Sequence, residues 1–161
     1  MLTRPRFLGL MVTAAALFVG TPAMAGPIFL TGHDPDFHSI ESQGARNLLQ
    51  SGLNFVTGGT FDDGASTKFL WVESRITPPN GHRTGENGLG TLGLTLGINY
   101  DRANGAEFAS VDLSNYTAIA IASGFGGLLT RAELDALIAR SDDIANYVNA
   151  VRTGNLLYLA G

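Results

Sequence analysis

Residues 27–38, PIFLTGHDPDFH, join a short apolar run to a cluster of polar side chains. The run at 27–31 lies between a proline and a glycine and predicts the first β-strand. A strand that is apolar throughout is typical of a parallel sheet covered on both faces. The polar residues after it would then lie at the carboxyl edge of the sheet, where open α/β folds bind ligands.

The chain continues with a helical pattern and a second extended one. An amphipathic helix is predicted from Glu41 to Val56, and Gly58-Gly59 ends it. Residues 68–73, KFLWVE, then predict a second strand that is short and rich in aromatic residues. Strand, helix and strand within this span form a βαβ unit, whose crossover is almost always right-handed.

The second half of the chain repeats the alternation. Residues 116–122, YTAIAIA, predict a third strand, and residues 155–160, NLLYLA, predict a fourth. Between them Thr130 and Glu133 form a capping box that begins a helix running to about Ala150. The sequence therefore predicts an α/β fold: a three-layer sandwich whose mainly parallel sheet of about four strands carries helices on its faces.

Residues 75–111 interrupt the pattern with closely spaced glycines. GLGTLG at 88–93 matches the dinucleotide-binding pattern G-x-G-x-x-G, but a loop precedes it and no helical spacing follows, so a flexible loop is the better interpretation. A short irregular strand within residues 92–100 is left open. Such a long irregular segment in a compact domain suggests either a functional flap or an element without a clear sequence signal.

Residues 1–25 have the features of a secretory signal peptide. Arg4 and Arg6 precede an apolar run of 14 residues, too short to span a membrane as a helix, and cleavage is expected after Ala25. We therefore expect an exported protein of periplasmic, cell-surface or extracellular location, with no stable membrane span after cleavage. Residues 26–161 would form a single α/β domain, and because the sequence ends directly after the fourth predicted strand, we expect that domain to be C-terminally incomplete.

The charge of the expected mature chain argues against one class of partner. All 14 acidic residues and eight of the ten basic ones follow residue 25, which gives a net charge of −6. Without a basic stripe, nucleic acid is not an expected partner. The chain has no cysteine, so no disulfide stabilises it.

The strongest candidate site is the loop after the first strand, which holds His33, Asp34, Asp36 and His38. Imidazoles and carboxylates suit a divalent metal, with His33, Asp36 and His38 as ligands, or direct binding of a small molecule. Glu73, at the end of the second strand, would join them if the two strands were neighbours. The alternative is a turn in which Asp34 and Asp36 cap backbone amides.

A second candidate, Ser123-Gly124, follows the third predicted strand. The nucleophile elbow G-x-S-x-G requires glycine two positions before the serine, and Ile121 stands there. A tight turn whose amides face a bound anion is the better interpretation. His82 and Arg83 are interpreted as solvated side chains, and Asp62-Asp63-Gly64 as a turn.

Several segments together resemble a known kind of protein: residues 27–38, 68–74, 78–83 (PPNGHR), 116–127, and the helix that begins at Thr130. They are similar to exported bacterial proteins that often carry a C-terminal PEP-CTERM sorting signal and whose domain resembles the class I glutamine amidotransferase-like, flavodoxin-related fold. The amidotransferases use a cysteine nucleophile after a late strand. This chain has no cysteine and no sorting signal, so the resemblance implies a fold and not an activity.

Three functional hypotheses follow. The first is a non-enzymatic exported domain that binds a small molecule or a cell-surface partner in the crevice formed by the loops after the first three predicted strands. The second is a metal-dependent hydrolase that uses His33, Asp34, Asp36 and His38, with Glu73 as general base. The third is a structural protein of the cell surface or matrix.

Overall fold

The computed structural model describes residues 26, 28–58, 68–74, 85–122 and 128–150, together with the backbone of residues 156–160. The five strands are β1 (Ile28–Thr31), β2 (Phe69–Val72), β3 (Tyr100–Ala103), β4 (Ala118–Ile121) and β5 (Leu156–Ala160). The six α-helices are α1 (Pro35–His38), α2 (Gln43–Thr57), α3 (Glu86–Thr91), α4 (Gly105–Phe108), α5 (Arg131–Ala139) and α6 (Ser141–Asn149), and a 3₁₀ turn covers Leu113–Asn115.

The strands form one parallel sheet in the order β1-β5-β4-β2-β3. The predicted α/β class and parallel sheet are confirmed, but the predicted number of four strands is wrong, since the sheet has five. The missed strand is β3, which lies at an edge and carries Asp101 and Arg102 in its centre. Charged side chains are common on edge strands and hide the apolar pattern by which a strand is recognised.

The chain crosses the sheet in one direction and then returns. From β1 it passes to β2 and then to the edge at β3, and from β3 it returns to β4 and β5. The first passage uses α1, α2 and α3, and the second uses α4, α5 and α6. Right-handed crossovers require helices on opposite faces when the direction reverses.

Side chains of β2 alternate between two buried layers, as this winding requires. Phe69 and Trp71 pack with residues of α2 and α3. Leu70 and Val72 point to the other face and pack with residues of α4, α5 and α6. The strand is buried at every position because both faces are covered, and the three-layer arrangement follows from these two cores.

Helix α2 forms close to its predicted bounds because both ends are marked. The Ser42 side chain accepts a hydrogen bond from the Ala45 amide, and Gly58 takes the left-handed conformation with φ of 68°. The capping box of Thr130 and Glu133 is also present. The helix that it begins is divided, however, because α5 ends at Ala139 and α6 starts at Ser141.

The division lies at Arg140, whose guanidinium contacts both Asp143 of α6 and the end of α4. It donates hydrogen bonds to the carbonyl oxygens of Phe108 (2.6 Å) and Val111 (2.9 Å). Arg140 thereby ties the junction of α5 and α6 to the segment after α4.

Within the described part of the chain, the helices are too short or too polar for any of them to cross a bilayer.

Candidate functional site

The loop after β1 folds into one helical turn, α1, rather than an open turn. Pro35 occupies its first position, where its fixed φ suits a helix start. Asp34 lies at the N-cap position, but its side chain makes no capping hydrogen bond. Its Oδ1 atom lies 3.4 Å from His38 Nε2 instead. The predicted turn in which Asp34 caps backbone amides is therefore wrong.

A cavity of about 380 Å³ opens between α1 and the first turns of α2. It holds three of the four polar residues that the sequence singled out in this loop, namely His33, Asp34 and His38. Its other lining residues are Pro35, Ser42, Gly44, Ala45 and Leu48. The cavity thus combines two imidazoles, a carboxylate and a hydroxyl with an apolar wall, at the carboxyl end of β1.

Asp36, the fourth residue, does not face this cavity. Its side chain is fully buried and packs against Gly85, which the indole of Trp71 also approaches. Neither carboxyl oxygen has a hydrogen-bond partner of good geometry. Burial, which disfavours the ionised form, raises the pKa of Asp36 to about 6.

The predicted metal ligands His33, Asp36 and His38 therefore do not converge. Asp36 points into the core while both histidines are exposed at the surface. Across the described ranges, no three histidine, aspartate or glutamate side chains lie close enough together to hold a metal ion. Helix geometry explains why Asp36 and His38 do not converge. They lie two positions apart in α1, and residues at that spacing point to different sides of a helix.

Glu73 is separated from the cavity because β1 and β2 are not neighbours. β5 and β4 lie between them, a separation of three strand spacings or about 14 Å. Glu73 is 1% exposed, and its Oε2 accepts a hydrogen bond of 3.0 Å from the Glu86 amide at the start of α3. Burial raises the pKa of Glu73 to about 7, against the opposing effect of the Trp71 indole.

A polar cluster beside Glu73 had no sequence signal. Glu86 accepts hydrogen bonds from the Tyr100 hydroxyl (2.7 Å) and from the Arg102 guanidinium. Burial, together with the hydrogen bond to Glu86, raises the pKa of Tyr100 above its ordinary value. These contacts join α3 to β3. Neither element was predicted from the sequence, because α3 is rich in glycine and β3 carries two charged residues.

The GLGTLG segment is largely helical, so the predicted flexible loop is wrong there. Gly88 allows α3 to pack on α1 at close range, since a Cβ atom at this position would overlap the backbone oxygen of Asp36. The short irregular strand left open within residues 92–100 does not form: an isolated bridge joins Leu96 to Tyr100, and β3 begins at Tyr100. Gly88 therefore serves the close packing of α3 on α1, whereas a Cβ atom at Gly90 would have open space.

A second cavity, of about 330 Å³, lies at the opposite edge of the sheet between the 3₁₀ turn and α6. Arg140 and Asp143, which line it, are joined by an ion pair of 2.8 Å. Its other lining residues are Asp112, Leu113, Ser114, Asn146, Tyr147 and Ala150. None of the predicted site residues lines this second cavity.

Some predicted features fall outside the described residues: the signal segment, Asp62 and Asp63, His82 and Arg83, and Ser123 and Gly124. Comparisons with family models, with curated proteins and with solved structures return no match to this chain. The resemblance to PEP-CTERM-associated and amidotransferase-like proteins therefore stays a prediction.

Proposed function

We propose that this chain is an exported α/β domain that binds a small ligand, without converting it chemically, in the cavity between α1 and α2. The observation that carries the proposal is the convergence of His33, Asp34 and His38 on one cavity at the carboxyl end of a parallel strand. The volume of about 380 Å³ is within the usual range of small-molecule sites. The mixed lining suits a molecule with a polar or charged head and an apolar part.

The positions of the titratable groups support binding rather than catalysis. The two carboxyl groups whose pKa burial raises toward neutrality, Asp36 and Glu73, are both buried and neither lines the cavity. A general acid or base must reach its substrate directly or through one water. The hydrolase hypothesis also lacks a converging ligand set in the described residues, so binding is the better-supported function.

We also infer a flavodoxin-related arrangement of the sheet. Counted from β2, the order is that of the doubly wound 2-1-3-4-5 sheet, with β1 in the fifth place. The reversal of winding then falls between β2 and β4. This inference would explain why the residues after β1 and those after β2 form separate sites.

The cavity proposal is tested by one substitution at each of the two cavities. A thermal-shift screen of the purified mature protein against small polar and charged metabolites should identify a ligand. Ala45→Phe, which fills the α1–α2 cavity, should weaken its binding by about tenfold or more, equivalent to about 1.4 kcal/mol. Ala150→Phe fills the second cavity with the same side chain and should leave binding unchanged.

Two results would contradict this proposal. If Ala45→Phe bound the ligand as tightly as the wild type, the ligand would occupy another site. If the protein converted the bound compound into a product, the non-catalytic part of the proposal would be wrong, and the role of Asp36 and Glu73 would need re-examination.

Export is a separate proposal that rests on residues 1–25. When the full chain is expressed in a bacterium with a general secretion pathway, we expect the product in the periplasm or medium to begin at Gly26, because small residues precede that position. Intact-mass measurement identifies the N-terminus. An unprocessed chain that stays in the cytoplasm would contradict the proposal, and an Ala25→Arg variant, which blocks cleavage, provides the control.

A further inference from the structure

Glu73 links the end of β2 to the beginning of α3. Its Oε2 atom accepts the Glu86 amide hydrogen at 3.0 Å, and the N-cap residue of α3, Gly85, has no side chain that could do so. The Oε1 atom is buried without a hydrogen-bond partner of good geometry. A carboxyl group from the sheet thus replaces the missing cap of this helix.

The groups around Glu73 balance in charge only while Glu73 is neutral. Glu86 of α3 and Arg102 of β3 form an ion pair, to which the Tyr100 hydroxyl also donates. Both Glu86 and Arg102 act on Glu73, the first opposing and the second favouring its ionisation. One cation therefore faces one anion, and ionised Glu73 adds a second negative charge in a buried place.

On the α1 side, Asp36 lies against Gly85, the residue before Glu86. It is a second buried carboxyl group, and its ionised form would add further negative charge near the start of α3. Val72 and Ser74, which flank Glu73 at the end of β2, carry no charge, and neither does Trp71. The titratable groups that interact with Glu73 are Glu86 of α3 and Arg102 and Tyr100 of β3, with Asp36 of α1 beside Gly85.

We propose that Glu73 is a buried proton switch that controls how the first turn of α3 is anchored to the sheet. In the neutral state the carboxyl group caps the Glu86 amide and the cluster is balanced. Loss of the proton leaves a buried carboxylate. The Glu86 amide and the Trp71 indole stabilise it, but burial and the Glu86 carboxylate disfavour it, and the first turn of α3 moves outward so that water reaches the charge. The inference does not depend on a ligand in the α1–α2 cavity.

The environment of Glu73 sets the range in which the switch operates. Burial, which is the main cause, raises its pKa to about 7, so a change from mildly acidic to mildly alkaline conditions changes its charge. The single tryptophan of the chain, Trp71, is fully buried and its indole acts on the Glu73 carboxyl. Tryptophan fluorescence therefore reports on this part of the fold, and the Asp36→Asn variant separates the contribution of Asp36, which also lies beside Gly85.

The test follows three signals in the mature protein between pH 5 and pH 9: the side-chain ¹³Cδ resonance of Glu73, the amide resonance of Glu86, and Trp71 fluorescence. We expect all three to change together, with a midpoint near pH 7. Glu73→Gln keeps the shape of the side chain but cannot ionise, and it should abolish the changes in Glu86 and Trp71. Asp36→Asn should retain them.

Either of two results would overturn the inference. In the first, the Glu86 amide keeps a constant chemical shift while the Glu73 carbon titrates, which would show that α3 does not respond to the charge. Alternatively, the Glu86 and Trp71 signals would persist in Glu73→Gln or vanish in Asp36→Asn, which would assign them to another group. Because the first result is read in the wild type, it stands even where a variant fails to fold.

Discussion

Replacing Gly88 with alanine should destabilise the protein by about 3 kcal/mol or more, a large part of the stability of a domain of this size. A Cβ atom at position 88 would overlap the backbone oxygen of Asp36 and crowd the Ser39 hydroxyl. A backbone carbonyl in a packed helical turn cannot rotate away as a flexible side chain can. The substitution should therefore force α1 and α3 apart, and urea denaturation followed by circular dichroism measures the loss.

Gly90 provides a matched control in the same helix. Nothing lies within 4 Å of a Cβ atom at this position. Gly90→Ala should therefore stabilise the protein by about 0.5–1 kcal/mol, because alanine loses less backbone entropy in a helix than glycine does. If the two substitutions had the same effect, the close packing of α1 on α3 would be wrong.

Replacing Asp36 with asparagine should stabilise the protein at pH 7.5 and have little effect at pH 4. The pKa of Asp36 is raised by burial from 3.8 to about 6 in the folded chain. The folded state therefore binds more protons than the unfolded state between these values, and stability falls as the pH rises through this range. Ionisation of Asp36 costs about 3 kcal/mol of stability above pH 6, and the substitution should recover much of it.

The measurement is the free energy of unfolding of both proteins in urea at pH 4 and at pH 7.5. Asp135→Asn is the control, because Asp135 is largely exposed in an ion pair with Arg131 and its removal should change stability by only a few tenths of a kcal/mol. An Asp36→Asn effect that is equal at the two pH values would show that the carboxyl group of Asp36 does not change its charge on burial.

The elements that the sequence predicted well are those with local signals. β2 is apolar throughout, β1 is apolar except for Thr31, α2 has a serine cap and a terminal glycine, and the Thr130 capping box starts α5. The expected burial of β1 on both faces is wrong, because β1 is an edge strand in which Ile28 and Leu30 are exposed. Each of these signals lies within a few residues of the element that it marks, so no knowledge of distant parts of the chain is required.

The elements that were missed depend on distant contacts. α3 contains two glycines in six residues and becomes helical where Gly88 packs on α1 and Glu73 caps its start. β3 carries Asp101 and Arg102, whose charges are balanced by Lys68 and by Glu86. In both cases the residues that stabilise the element lie outside its own segment of the sequence. A local sequence pattern therefore cannot predict either element.

The arrangement of the candidate site depends on distant contacts for the same reason. The sequence places His33, Asp34, Asp36 and His38 in one loop after a strand, and the structure brings three of them, His33, Asp34 and His38, to one cavity. The helical turn α1 then directs Asp36 to the core, and the strand order separates Glu73 from the others. The order of strands is a property of the whole fold, and no single segment encodes it.

The most direct test of ligand binding between α1 and α2 is a map of amide chemical-shift changes in the purified protein upon addition of the tightest compound from the screen. We predict that the shifted amides cluster in His33, Asp34 and His38 of the α1 region and in residues 42–48 of α2. Shifts confined to residues 112–114 and 143–150, around the second cavity, would contradict the proposed site.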